Sequence, residues 1–160
     1  MFSIKIKRKA EKVFNLCLKK KIKLSFAESC TGGLLSSLIT SFPNSSKIFN
    51  SGFVTYSNLS KKNLLGVKEK TLKKYGAVSY KIAEEMVIGV WKKDKINIAL
   101  SITGIAGPKG GSNQKKIGLV YIGIKSKKGV LVKEFNFNGN REKIRFDSIE
   151  KAIDLISSVI

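Results

Sequence analysis

The sequence predicts an α/β fold: a three-layer α/β/α sandwich around a mixed, mostly parallel sheet of about five strands, spanning 1–160 as one domain. Three observations carry this expectation. Stretches of helical and strand periodicity alternate in the order α-β-α-β-α-α-β-β-β-α. Residues 96–102 are nearly all apolar, as a strand covered on both faces should be. Segments 117–126 and 130–137 flank Lys127-Lys128-Gly129 and read as a hairpin, which makes the sheet mixed rather than purely parallel. A chain of 160 residues can bury one core of this kind.

The elements follow in order. Residues 3–21 form an amphipathic helix, with Ile6, Ala10, Val13, Phe14, Cys17 and Leu18 on one face and lysines opposite. A strand at 23–28 leads into a helix at 33–42, and Pro43-Asn44-Ser45-Ser46 is a loop. Residues 52–56 make the next strand. A short helix at 58–65, suited to capping by Asn58, closes at Gly66, and another at 68–75 closes at Gly76. Ser79 caps a helix to about residue 91, with Ile82, Met86 and Val90 inward. The apolar strand 96–102 opens into a glycine-rich run, 103–112, before the hairpin. A final helix, 141–159, carries Ile149, Ala152, Ile153 and Ile156 on one face.

The net charge is +20. Only Arg8, Arg141 and Arg145 are arginine, and the lysines are spread along the whole chain. Aromatic residues are not interleaved with them as a single-strand binder requires. This argues against a dedicated nucleic-acid interface, whereas the charge steers anionic small molecules. No apolar stretch approaches the ~20 residues of a membrane span, and the basic 1–9 segment lacks the apolar core of a signal peptide. A cytoplasmic protein without membrane association is expected. Two cysteines, Cys17 and Cys30, and no histidine make no credible metal site, and no cofactor is implied.

Chemistry is concentrated in four segments. In Ala27-Glu28-Ser29-Cys30-Thr31-Gly32-Gly33 a hydroxyl sits where a strand turns into a helix. On position alone Ser29 reads more often as a helix cap. The two glycines let the backbone pass close to a ligand, and the N–H groups of Cys30, Thr31, Gly32 and Gly33 could hold an oxyanion. Cys30 is a rival nucleophile or, more commonly, a small buried residue. Glu28 reads as paired or solvated. Without histidine, a nucleophilic Ser29 needs another base, and lysine is a known substitute if its pKa falls by about 3 units. Tyr56 and Lys61 stand at the second segment, after a strand and one turn into a helix; on position alone Lys61 reads as a solvated lysine, and if it is a base Tyr56 could relay a proton or orient it. The third segment, Thr103-Gly104-Ile105-Ala106-Gly107-Pro108-Lys109-Gly110-Gly111-Ser112, follows the apolar strand and is either a long flexible loop or a receiver of a phosphate or an amide. In the fourth, Gly139-Asn140-Arg141, Arg141 and Arg145 stand i, i+4 at a helix start, either a phosphate clamp or a surface cluster.

These segments, with Leu65-Gly66-Val67, Gly76-Ala77-Val78-Ser79 and Gly110-Gly111, resemble in order and spacing the CinA C-terminal domain family, whose active form is a nicotinamide-nucleotide amidase. The resemblance covers about 5–158. It implies an α/β/α fold, hydrolysis of nicotinamide mononucleotide to nicotinate mononucleotide and ammonia, no metal, and a homo-oligomer. It also implies Ser29 as nucleophile and Lys61 as its base, with Tyr56 and Thr103 in the site. Some family members carry a second, N-terminal domain, which is not expected within this sequence. The chain departs from the family pattern at Asn140, where an aspartate is frequent, at Leu119, and in Asn58-Leu59-Ser60-Lys61. Two other classes stay open: a catalytically silent binding or regulatory domain, and a nucleic-acid-associated, competence-related protein.

Overall fold

The structure is a computed structural model and describes residues 2–160. Five strands form one sheet in the order β2-β1-β3-β4-β5: β1 (Leu24–Glu28), β2 (Phe49–Val54), β3 (Ile98–Gly104), β4 (Leu119–Ser126) and β5 (Gly129–Asn136). β1 runs parallel to β2 and β3, while β3–β4 and β4–β5 are antiparallel. The sheet is therefore mixed as expected, but evenly so rather than mostly parallel. Six helices cover it: α1 (Ile4–Lys20), α2 (Leu34–Thr40), α3 (Asn58–Leu65), α4 (Glu69–Tyr75), α5 (Tyr80–Lys93) and α6 (Arg141–Val159).

Alternation along the strands sorts the core into two layers. On one face Leu24, Phe26, Leu100, Ile102 and Ile122 meet Val13, Phe14, Leu35, Ile149 and Ile153 of α1, α2 and α6. On the other, Ala27 and Ala99 meet Leu65, Ile82, Met86 and Val90 of α3 and α5. β1 is buried along its whole length because both faces and both edges are covered. No helix among the described residues is long and apolar enough to cross a membrane.

Two boundaries differ from expectation in ways that matter for the site. β2 begins at Phe49 and ends at Val54, not 52–56. The register slips between Leu24 and Ser25, so Phe49 joins the layer of Phe26 while Phe53 joins the opposite one. Such a bulge breaks the period-2 pattern by which a strand is read. β3 extends to Gly104, so Thr103 and Gly104 are strand residues rather than loop. The carboxyl ends of β1 and β3 consequently lie side by side. They mark the point where the chain order reverses across the sheet, the usual place for a ligand in such folds.

Candidate active site

Ser29 follows β1 directly, and its N–H donates to Ile102 O at 2.9 Å, which pins the corner to β3. Lys61 is one turn into α3. Ser57, not Asn58, caps that helix: its hydroxyl accepts from Ser60 N–H at 3.0 Å, and the Ser60 hydroxyl accepts in return from Ser57 N–H. The helix points Lys61 back under the corner. Its Nζ lies 2.9 Å from Ser29 Oγ and donates to Thr55 O at 2.7 Å. Lys61 is only 1% exposed, and this burial lowers its pKa to about 8. A lysine near neutrality at hydrogen-bond distance from a hydroxyl can take that hydroxyl's proton.

Ser29 does not cap α2. Glu28, buried at the last position of β1, does so instead. Its carboxylate accepts from Gly33 N–H and Leu35 N–H, each at 3.1 Å, and from Ser36 N–H and Oγ–H at 2.8 and 2.7 Å. This corrects the view of Glu28 as merely paired or solvated. It also narrows the oxyanion donors. Gly33 N–H is taken by Glu28, and Gly32 N–H donates to Ser29 O at 3.0 Å. Among the described residues the N–H groups of Cys30 and Thr31 have no oxygen acceptor. Burial pushes the Cys30 thiol up to about 12, which disfavours it as a rival nucleophile.

A cleft of about 230 Å³ opens over these groups. It brings together Ser29, Cys30, Tyr56, Lys61, Thr103, Gly104, Gly107 and Arg141, with Lys109 of the glycine-rich segment and with Ala77 and Val78, which belong to the family pattern read in the sequence but had no role there. Thr103 Oγ1 donates to Ala77 O at 2.8 Å, tying β3 to the turn before α5. Arg141, at the first position of α6, donates to Gly107 O at 2.7 Å and to Tyr56 Oη at 2.9 Å. Tyr56 meets Lys61 through its carbonyl, at 3.4 Å, while its hydroxyl is engaged by Arg141. The phenol is therefore a rim group bonded to the arginine. Thr31, Gly32, Gly33 and Arg145 are not part of the cleft lining. Arg145 instead reaches the back of the corner, where Nη2 donates to Thr31 O at 2.8 Å. Sequence spacing put both arginines on one helical face, but their long side chains diverge to different partners.

The profile of the CinA C-terminal domain matches residues 6–160. The chain belongs to the CinA C-terminal domain family. Similar CinA relatives include proteins named competence-damage inducible protein from Thermoanaerobacter sp. strain X514, 47% identical over 146 residues, and from Caldicellulosiruptor saccharolyticus, 45% identical over 150 residues. These alignments cover 91% and 94% of this chain but only 35% and 36% of the relatives, so the chain spans about a third of their length. Among solved structures, the competence/damage inducible protein CihA from Agrobacterium tumefaciens superposes with a TM-score of 0.96 at 36% identity, covering 99% of this chain and 97% of that one. A CinA superfamily protein from Escherichia coli superposes at 0.93 with 26% identity, covering 100% and 94%. The expected family and the α/β fold are thus both shown.

Proposed function

We propose that this CinA domain is an amidohydrolase that deamidates nicotinamide mononucleotide through a Ser29–Lys61 dyad. The observation that carries the reading is the 2.9 Å contact between Ser29 Oγ and a buried lysine whose pKa is drawn down to about 8. Neutral Lys61 takes the Ser29 proton as Oγ attacks the carboxamide carbon. The tetrahedral oxyanion sits against the N–H of Cys30, the corner donor that lines the cleft. Protonated Lys61 returns its proton to the departing ammonia, leaving an acyl ester on Ser29. A water molecule, deprotonated by the same lysine, attacks that ester and releases nicotinate mononucleotide and Ser29. Arg141 and Lys109 supply positive charge at the cleft for the 5′-phosphate. The half-exposed Tyr56 ring offers a face to the pyridinium.

Ammonia release from nicotinamide mononucleotide tests this directly. Wild type should turn over, and Ser29→Ala and Lys61→Ala should each lose about 10³-fold or more in kcat, as removal of a nucleophile or its base does. Equal activity in wild type and Ser29→Ala would end the dyad reading. The charge of +20 supports a second reading, association with nucleic acid. A steep salt dependence of DNA binding, unaffected by loss of Arg141, would favour it.

A further inference from the structure

Glu28 and Arg145 grip the nucleophile corner from two sides. Glu28 holds the N–H groups of Gly33 and Leu35 from beneath α2. Arg145 holds the Thr31 carbonyl from α6. Between Glu28 and the Thr31 anchor lies Cys30, which lines the cleft and whose N–H has no oxygen acceptor among the described residues. Arg145 lies outside the cleft lining and has its Nε buried without a hydrogen-bond partner. Leaving a buried donor unpaired is unfavourable. A surface-helix arginine free to swing into solvent avoids that cost, so the Thr31 contact holds it in place.

We propose that Glu28 and Arg145 are positioning residues that set the direction of the Cys30 N–H group, and that Arg145 is not a phosphate ligand. The inference rests on the amidase reading for its catalytic consequence. Its structural content, a corner held closed by two opposite charges, stands apart from any reaction. A misplacement of about 1 Å at such donors lowers turnover by about 10²-fold. The loss falls on kcat, because the oxyanion exists only after attack.

The corner carries its own reporter. Cys30 is 6% exposed, and burial pushes its thiol up to about 12, which slows its alkylation while the corner stays closed. Cys17, fully buried on the inward face of α1, serves as the internal reference.

The experiment compares wild type with Glu28→Gln, Arg145→Met and Arg145→Lys. Glu28→Gln replaces acceptors with an amide that presents N–H to N–H. Arg145→Lys keeps the charge and one donor. Two quantities are read: kcat and KM on nicotinamide mononucleotide and on the same nucleoside lacking its 5′-phosphate, and the iodoacetamide labelling rates of Cys30 and Cys17 by peptide mass. Glu28→Gln and Arg145→Met should lower kcat by a similar factor on both substrates with little change in KM, and should speed Cys30 labelling several-fold while leaving Cys17 unchanged. Arg145→Lys should recover part of both effects. A rise in KM confined to the phosphorylated substrate would make Arg145 a phosphate ligand and overturn the proposal. So would an unchanged Cys30 labelling rate, or equal acceleration at Cys30 and Cys17, which reports global loosening. Should wild type release no ammonia while Cys30 labelling still responds selectively, the clamp holds and the amidase reading fails.

Discussion

At the residue scale, the site depends on one buried cation. Lys61 enters the interior with its ammonium facing a hydroxyl and two carbonyls, and no carboxylate is hydrogen-bonded to it. Desolvation therefore dominates and its pKa falls. As a base, Lys61 must be neutral, so kcat/KM should rise with pH to a plateau above about 8, and a pH–rate profile should show that limb. Stability carries the same titration. In the unfolded chain Lys61 stays protonated to about 10.5, but in the fold only to about 8. Between those values the unfolded chain binds the additional proton, so Lys61 makes stability rise with pH. Relative to Lys61→Met, the unfolding free energy of wild type should gain up to about 3 kcal/mol between pH 8 and 10.5, measurable by urea titration at each pH. Part of this site was legible in the chain. Missing histidine pointed to another base, and among the many lysines only the family resemblance picked out Lys61. The capping role of Glu28 was not legible, because its partners lie five to eight residues away and meet it only once α2 is formed.

At the element scale, placement of Lys61 depends on how closely α3 approaches α5. Gly89 makes that approach possible: a Cβ there would lie 2.1 Å from Leu65 O and 2.8 Å from Leu65 Cβ. Leu65 ends α3, one turn after Lys61. Gly89→Ala should therefore push α3 outward. It should cost about 1–3 kcal/mol, as overpacking does, and lower kcat in the same variant. Thermal unfolding and ammonia release read the two effects. Gly89 lies within a helical pattern, where nothing in the local sequence distinguishes it from a weak helix former. The same limit applies to β2, whose bulge hid its first three residues from the alternation test. The strong periodic elements were read correctly. The inward faces of α1, α5 and α6 carry the residues expected of them, and Leu18 alone of that set is only partly buried.

At the scale of the whole molecule, a charge of +20 surrounds a cleft that already holds Arg141 and Lys109. A nucleotide monoanion or dianion is drawn to such a surface, and salt screens the attraction over about 10 Å at 0.1 M. The kcat/KM for nicotinamide mononucleotide should fall as sodium chloride rises from 20 to roughly 500 mM. For the cationic nucleoside without phosphate it should stay level or increase. Steady-state kinetics at several ionic strengths would separate the two.

The sequence by itself determined the layers, because hydrophobic period and turn residues are local properties of the chain. Through the family resemblance it also offered Ser29 and Lys61 as candidates for nucleophile and base, because each lies in a contiguous motif. The tertiary structure alone decided which groups meet. It sent Arg141 to the cleft and Arg145 to the back of the corner. It assigned the α2 cap to Glu28 rather than Ser29, which leaves Cys30 as the corner N–H that lines the cleft without an oxygen acceptor among the described residues. Contacts such as Arg145 to Thr31, 114 residues apart, arise only when separate elements pack, and no local pattern encodes their direction.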